Sequence, residues 1–182
     1  MTMKIRLLSL PACAALMLTT LRVAAQAGPV SPDIPADRVV PDPVAYQTLM
    51  HAFQATELQE ILDNRGPFTV FAPSDAAFEK MASDGMGELL KPENRNDLRS
   101  VLAYHIVAGE LTASRILRAL CRGEGAARFT TVQGEELLAT LEGSDIILTD
   151  CSGNRARIVN ADFGRKNLVF HEIDAVILPK PL

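Results

Sequence analysis

The hydrophobic period of this chain changes once, near Arg128, and that change constrains its fold more than any other feature. Upstream, apolar residues recur at helical spacing: Tyr46, Leu49, Met50 and Phe53; Ile61 and Leu62; Leu98, Val101 and Leu102; Ile116, Leu117 and Leu120. Downstream the period approaches two, over residues 129–132, 136–141, 146–148, 157–159 and 168–178. Turn residues separate these runs at Gln133-Gly134, Glu142-Gly143-Ser144 and Ser152-Gly153-Asn154. One strand lies within the helical half, at residues 68–71, where Phe-Thr-Val-Phe is bounded by Pro67 and Pro73. Helices with one embedded strand, followed by consecutive hairpins, imply an α+β domain built on antiparallel β-strands with several short helices packed on them, and not alternating βαβ units.

Local signals set the expected boundaries. Thr56-Glu57-Leu58-Gln59 has the spacing of a capping box ahead of Ile61 and Leu62, and Asn64-Arg65-Gly66-Pro67 stops that helix, with Gly66 available for a left-handed position. Ser74 or Asp75 caps a helix through Ala77, Phe78 and Met81, and Pro92 opens another. Residues 104–107 read as extended chain ending at Gly109.

The first 27 residues combine a basic start (Lys4, Arg6), an apolar run of about 15 residues and the small-residue sequence Val23-Ala24-Ala25-Gln26-Ala27, as a cleaved secretory signal does. The run is shorter than the roughly 20 residues that cross a bilayer and contains Pro11, so no membrane span is expected after cleavage at Ala27 or Ala25. Residues 28–42, with Pro29, Pro32, Pro35 and Pro41, read as an extended linker, and residues 43–180 as a single domain. The expected location is secreted or periplasmic. Without its leader the formal charge falls from −4 to −7, because Lys4, Arg6 and Arg22 leave with it. An acidic chain lacking a basic block has no general attraction for phosphate, which argues against a nucleic-acid partner.

An oxidising compartment changes the reading of Cys121 and Cys151. A bridge between them would close a loop of about 30 residues, for roughly 3–4 kcal/mol on the chain-entropy account. The alternative is two separate buried thiols.

Two stretches in order carry a resemblance. Thr69-Val70-Phe71-Ala72-Pro73-Ser74-Asp75-Ala76-Ala77-Phe78 resembles the first signature of the fasciclin domain family, and Asn167-Leu168-Val169-Phe170-His171-Glu172-Ile173-Asp174-Ala175-Val176-Ile177-Leu178-Pro179 resembles the second. Between them, Leu102-Ala103-Tyr104-His105-Ile106-Val107-Ala108-Gly109 is similar to the family's central Tyr-His segment. The resemblance implies a fasciclin-like wedge of strands flanked by helices. It also implies an adhesion or interaction module that binds a protein or glycan at the cell envelope or extracellular matrix, without a shared catalytic activity. It makes Asp75 the expected hydrogen-bond partner of His105, a structural role for both; the alternative for Tyr104, His105 and Ile106 is a segment that contacts a partner.

A direct search for chemistry agrees with a binding role. The chain has no H-E-x-x-H, C-x-x-C, G-x-S-x-G, Walker loop or EF-hand pattern, so no metal, cofactor or catalytic residue is assigned. Ser74 is better placed as a cap than as a nucleophile. Asp145 and Asp150, five residues apart on an extended strand, face opposite sides. Arg155 and Arg157 share a strand face and read as solvated charge. The competing reading is a periplasmic small-ligand carrier or enzyme using the His105 neighbourhood, for which an open polar pocket at that imidazole is the discriminator.

Overall fold

The computed structural model describes residues 43–83, 86–165 and 167–180; the expected leader and proline-rich linker lie outside the described residues. A 3-10 turn, Pro43–Tyr46, leads into helices α1 (Gln47–Ala55) and α2 (Leu58–Asn64), strand β1 (Phe68–Pro73) and helix α3 (Asp75–Ser83). Two further 3-10 turns, Met86–Leu90 and Pro92–Asn94, precede α4 (Arg95–Tyr104), β2 (Ile106–Ala108) and α5 (Ala113–Arg122). Five strands complete the domain: β3 (Ala126–Thr130), β4 (Glu136–Glu142), β5 (Asp145–Thr149), β6 (Arg155–Arg165) and β7 (Leu168–Ile173).

The strands form one sheet in the order β2-β1-β7-β6-β5-β4-β3. Its pairs are antiparallel except for β1 and β7, which run parallel with Val70 opposite Phe170 and Phe71 opposite His171. β1 therefore sits inside the sheet and is buried from Thr69 through Pro73, which explains why it reads as a run without polar alternation. The two end strands meet again. Val107 bridges Thr131, Val132 N–H donates to Ile106 O at 2.7 Å, and Gln133 N–H donates to Ala103 O at 3.3 Å. The sheet thus curls until its first and last strands touch beside the C-terminal end of α4.

Alternation along β1 divides the interior in two. Val70 and Ala72 face a cluster with Leu49, Phe53, Leu58, Leu62 and Leu102 from the helices. Phe71 faces a second cluster inside the curled sheet, with Tyr104, Ile116, Leu120, Leu137, Leu148, Ile173 and Ile177. Leu148 is fully buried there, and truncation to Ala costs about 2–5 kcal/mol by lost transfer energy and cavity formation.

Several boundaries differ from the sequence expectation for identifiable reasons. The capping box does not form. Thr56 instead closes α1, its hydroxyl donating to Ala52 O at 2.7 Å, and Glu57 enters α2 in the left-handed region (φ 59°) without a side-chain cap. The link between the helices is too short for an extended N-cap. Gly66 does not take the left-handed conformation; its role is close approach, since a Cβ there would meet Asn167 Nδ2 at 3.2 Å and Asn167 O at 3.3 Å. α4 continues through Tyr104, so the Tyr-His pair lies at a helix end and extended chain starts at Ile106. Of the three apolar residues that mark α5, Leu117 remains 39% exposed, while Ile116 and Leu120 carry the buried face.

Candidate functional site

His105 is the C-cap of α4, where helix, β2 and the C-terminal tail converge. Its imidazole is 1% exposed and has a partner on each nitrogen: Nδ1 lies 2.8 Å from Val101 O, and Ile177 N–H donates to Nε2 at 3.3 Å. The carbonyl can only accept and the amide can only donate, so the ring is neutral with its proton on Nδ1. Burial pushes its pKa down to about 4 against the smaller opposing effects of the Val101 carbonyl and Asp150. An imidazole saturated in this way has no nitrogen left for substrate or metal.

His171 has the complementary arrangement. It lies on β7, stacked on Phe71 with ring centroids 5.7 Å apart. Nε2 lies 2.6 Å from Leu111 O and Nδ1 accepts from Asp162 N–H at 3.4 Å, so this ring carries its proton on Nε2. Desolvation lowers its pKa as well. Alternation in the sequence puts His171 on the same strand face as Ile173, and an ionisable residue on the apolar side of a central strand must be fixed by hydrogen bonds.

The expected Asp75–His105 bond is absent. Asp75 begins α3, and its carboxylate accepts Gln47 N–H at 3.2 Å and Thr48 N–H at 2.9 Å, satisfying free amides in the first turn of α1. Its partners are backbone amides of another helix, not His105. Ser74 is the local cap of α3: its carbonyl accepts Ala77 and Phe78 N–H, and its hydroxyl accepts Ala77 N–H at 3.4 Å. Buried Thr69 joins β1 to the loop after β2, donating to Gly109 O and accepting from Leu111 N–H, both at 2.8 Å.

Tyr104, His105 and Ile106 are all buried, so they present no exposed contact segment, contrary to the sequence expectation; only Ile106 of the three reaches the wall of a surface hollow. The Tyr104 hydroxyl donates to Glu136 O at 3.0 Å, and burial raises its pKa well above the usual tyrosine range. Cys121 and Cys151 also differ from the sequence expectation. Both are free and exposed, so they form neither a bridge nor buried thiols. Cys121 lies on α5 and Cys151 in the β5–β6 turn, beside Glu135 Oε2 at 3.5 Å.

The charged candidates occupy separate places. Asp145 is exposed and meets Arg157 at 3.7 Å, whereas Asp150 is buried and accepts from Ser152 N–H, Asn154 N–H, Asn154 Nδ2 and Leu178 N–H at 2.8–2.9 Å. Arg155 pairs with Glu142, and Arg157 also reaches Asp174 at 3.5 Å. Among the described residues, no three His, Cys, Asp or Glu side chains gather as a metal site.

Two depressions open next to this framework. An apolar hollow of about 200 Å³ lies between α2 and α4, with Leu58, Leu62, Phe68 and Ile106 in its walls and Arg99 and Val132 at its margin. Val132 is 44% exposed. A more polar groove of about 500 Å³ includes Arg128, Glu135, Glu136, Asp150, Cys151 and Lys180. Ala103 and Ile106 of the Tyr-His segment therefore line a surface hollow from beneath.

Comparison with known proteins places this framework. The Fasciclin domain model matches residues 44–179. Protein sll1483 of Synechocystis sp. is 37% identical over 134 residues, covering 74% of this chain and 67% of the relative. The cell surface glycolipoprotein MPB83 of Mycobacterium bovis is 31% identical over 116 residues, covering 64% of this chain and 46% of the relative. Among solved structures, a FAS1 domain pair from the insect cell adhesion molecule Fasciclin I superposes with a TM-score of 0.56 at 21% identity, over 74% of this chain and 45% of that one.

Proposed function

This chain belongs to the fasciclin domain family, and from that premise we propose that it is exported and acts outside the cytoplasm as a non-enzymatic binding module for a protein or glycan at the cell envelope or matrix. The cell-surface relative MPB83 and the adhesion molecule Fasciclin I support the location and the class of function. Export relies on the secretory pattern of residues 1–27, and residues 28–42 serve as spacer to the domain at 43–180.

The observation that carries the binding reading is the apolar hollow beside the Tyr-His segment. Its walls are built from residues already fixed by the core, so a ligand meets a preformed surface and little ordering entropy opposes binding. Val132 supplies exposed apolar area, and Arg99 supplies a cation for an acidic group next to the inserted one. The His105 neighbourhood contributes by holding this surface in place.

The test is retention of the purified protein on immobilised envelope fragments from the producing cell. Val132→Asp and Arg99→Glu, each checked for an unchanged Tm, are expected to lower retention at least tenfold. Retention equal to that of the unmodified protein in both variants rejects the hollow as the binding surface.

A further inference from the structure

β7 ends at Ile173, yet the chain beyond it stays on the domain without a strand partner. Three of its peptide N–H groups are held by titratable side chains. Ile177 N–H donates to His105 Nε2 at 3.3 Å, Leu178 N–H to Asp150 Oδ2 at 2.9 Å and Lys180 N–H to Glu135 Oε2 at 3.0 Å. The three acceptors come from the end of α4, the β5–β6 turn and the β3–β4 turn. We propose that residues 177–180 form a strap that acid releases while the sheet beneath remains folded.

Each clip depends on a deprotonated acceptor. A proton on His105 Nε2 would point a second donor at the Ile177 amide, leaving two N–H groups opposed in the interior. Asp150 already accepts from four donors, so a proton on either oxygen must displace one of them. The Lys180 amide is bonded to the Glu135 carboxylate, an acceptor whose charge makes the bond stronger than a neutral acceptor would. Because the clips fall on one short stretch, opening one loosens the others.

The charged surroundings belong to the same device. Asp150 faces His105, and Asp150, Cys151 and Glu135 all act on Tyr104. Cys151 Sγ lies 3.5 Å from Glu135 Oε2 and 3.7 Å from Leu178 O, and Arg128, Glu136 and Lys180 share the adjoining groove. At the base of the strap, Asp174 is held by Arg157, and Lys80 Nζ donates to the Asp174 carbonyl at 3.2 Å. Burial keeps the His105 imidazole neutral until the pH approaches about 4, and Ile177 is fully buried, so the strap is closed near neutrality. Opening frees His105 Nε2, removes Leu178 O from Cys151 Sγ and takes Lys180 out of the groove.

Amide hydrogen exchange of the protein, read residue by residue as protection factors at pH 7 and pH 4.5, tests this. Protection at Ile177, Leu178 and Lys180 is expected to fall together at least tenfold, while Val70 and Leu148 keep theirs. Asp150→Asn places an N–H donor beside the clip, and is expected to lower Leu178 protection already at pH 7. Glu135→Gln, on a partly exposed side chain, replaces a charged acceptor by a neutral one and is expected to lower Lys180 protection already at pH 7, which keeps the test open if the Asp150 variant does not fold. Tail amides that keep their protection at pH 4.5, or lose it only together with Val70 and Leu148, overturn the strap.

Discussion

Acidification from pH 7 to pH 5 should destabilise this domain by an amount calculable mainly from one residue. His105 has an unperturbed value of 6.5 and is pushed down to about 4 in the fold by burial. The unfolded chain therefore takes up a proton in this interval that the folded one refuses. The sign follows: stability is fully present above about 6.5, declines as pH falls below it, and the loss is complete once pH drops below the folded value near 4. By linkage the full difference is roughly 3 kcal/mol, of which about 2 kcal/mol is lost between pH 7 and pH 5. Against a total stability of about 5–15 kcal/mol, that is a large share. His171, lowered by desolvation, adds a loss of the same sign. Urea unfolding at half-unit steps from pH 7 to pH 5 measures it, in an interval where carboxylates outside strong interactions remain ionised. His105→Gln should flatten the profile to the part due to His171. A wild-type profile that stays level within about 0.5 kcal/mol would mean that His105 is charged or solvated in the fold, and the reasoning fails.

Other consequences can be checked separately. Asp75→Ala removes two charge-assisted bonds to the first turn of α1 and should cost about 1–2 kcal/mol. Combined with His105→Gln its effect should be additive within about 0.5 kcal/mol in a thermal double-mutant cycle, because the two side chains share no bond; strong coupling would restore the pairing expected from sequence. Thr69→Val keeps the shape but leaves Leu111 N–H without its acceptor, and a loss of about 1–3 kcal/mol in urea unfolding is expected; an unchanged midpoint would show that the loop finds another partner. Alkylation of the native protein without reductant should modify both Cys121 and Cys151, with Cys151 slow at pH 7 because burial and Glu135 raise its thiol pKa. Labelling of both only after reduction would establish a bridge.

The amino-acid sequence specified the order of elements closely because it depends on period and on turn chemistry, which are local. The shift near Arg128 marks where α5 gives way to the hairpins of β3 to β6, and Pro92 opens a 3-10 turn ahead of α4 as its fixed φ allows. Tertiary satisfaction was not legible in the same way. Thr56 had the spacing of an N-cap but caps the end of the preceding helix, because the turn geometry of two adjoining helices decides which amides and carbonyls are free. Asp75 sits one helix turn from several local donors, yet binds amides 27 and 28 residues away that the fold brings to it. The parallel pairing of β1 with β7 required the same long-range information. His105 was identifiable as a polar residue in an apolar segment; its acceptors and donors, all backbone groups, leave no trace in side-chain identity.

The two buried histidines are neutral pins with opposite tautomers. Long-range ¹⁵N–¹H correlation of the imidazole rings at pH 6.5 measures this directly. His105 should show its proton on Nδ1 and His171 on Nε2, both unprotonated at the other nitrogen. Imidazolium signals, or rapid averaging between tautomers at either ring, would contradict it.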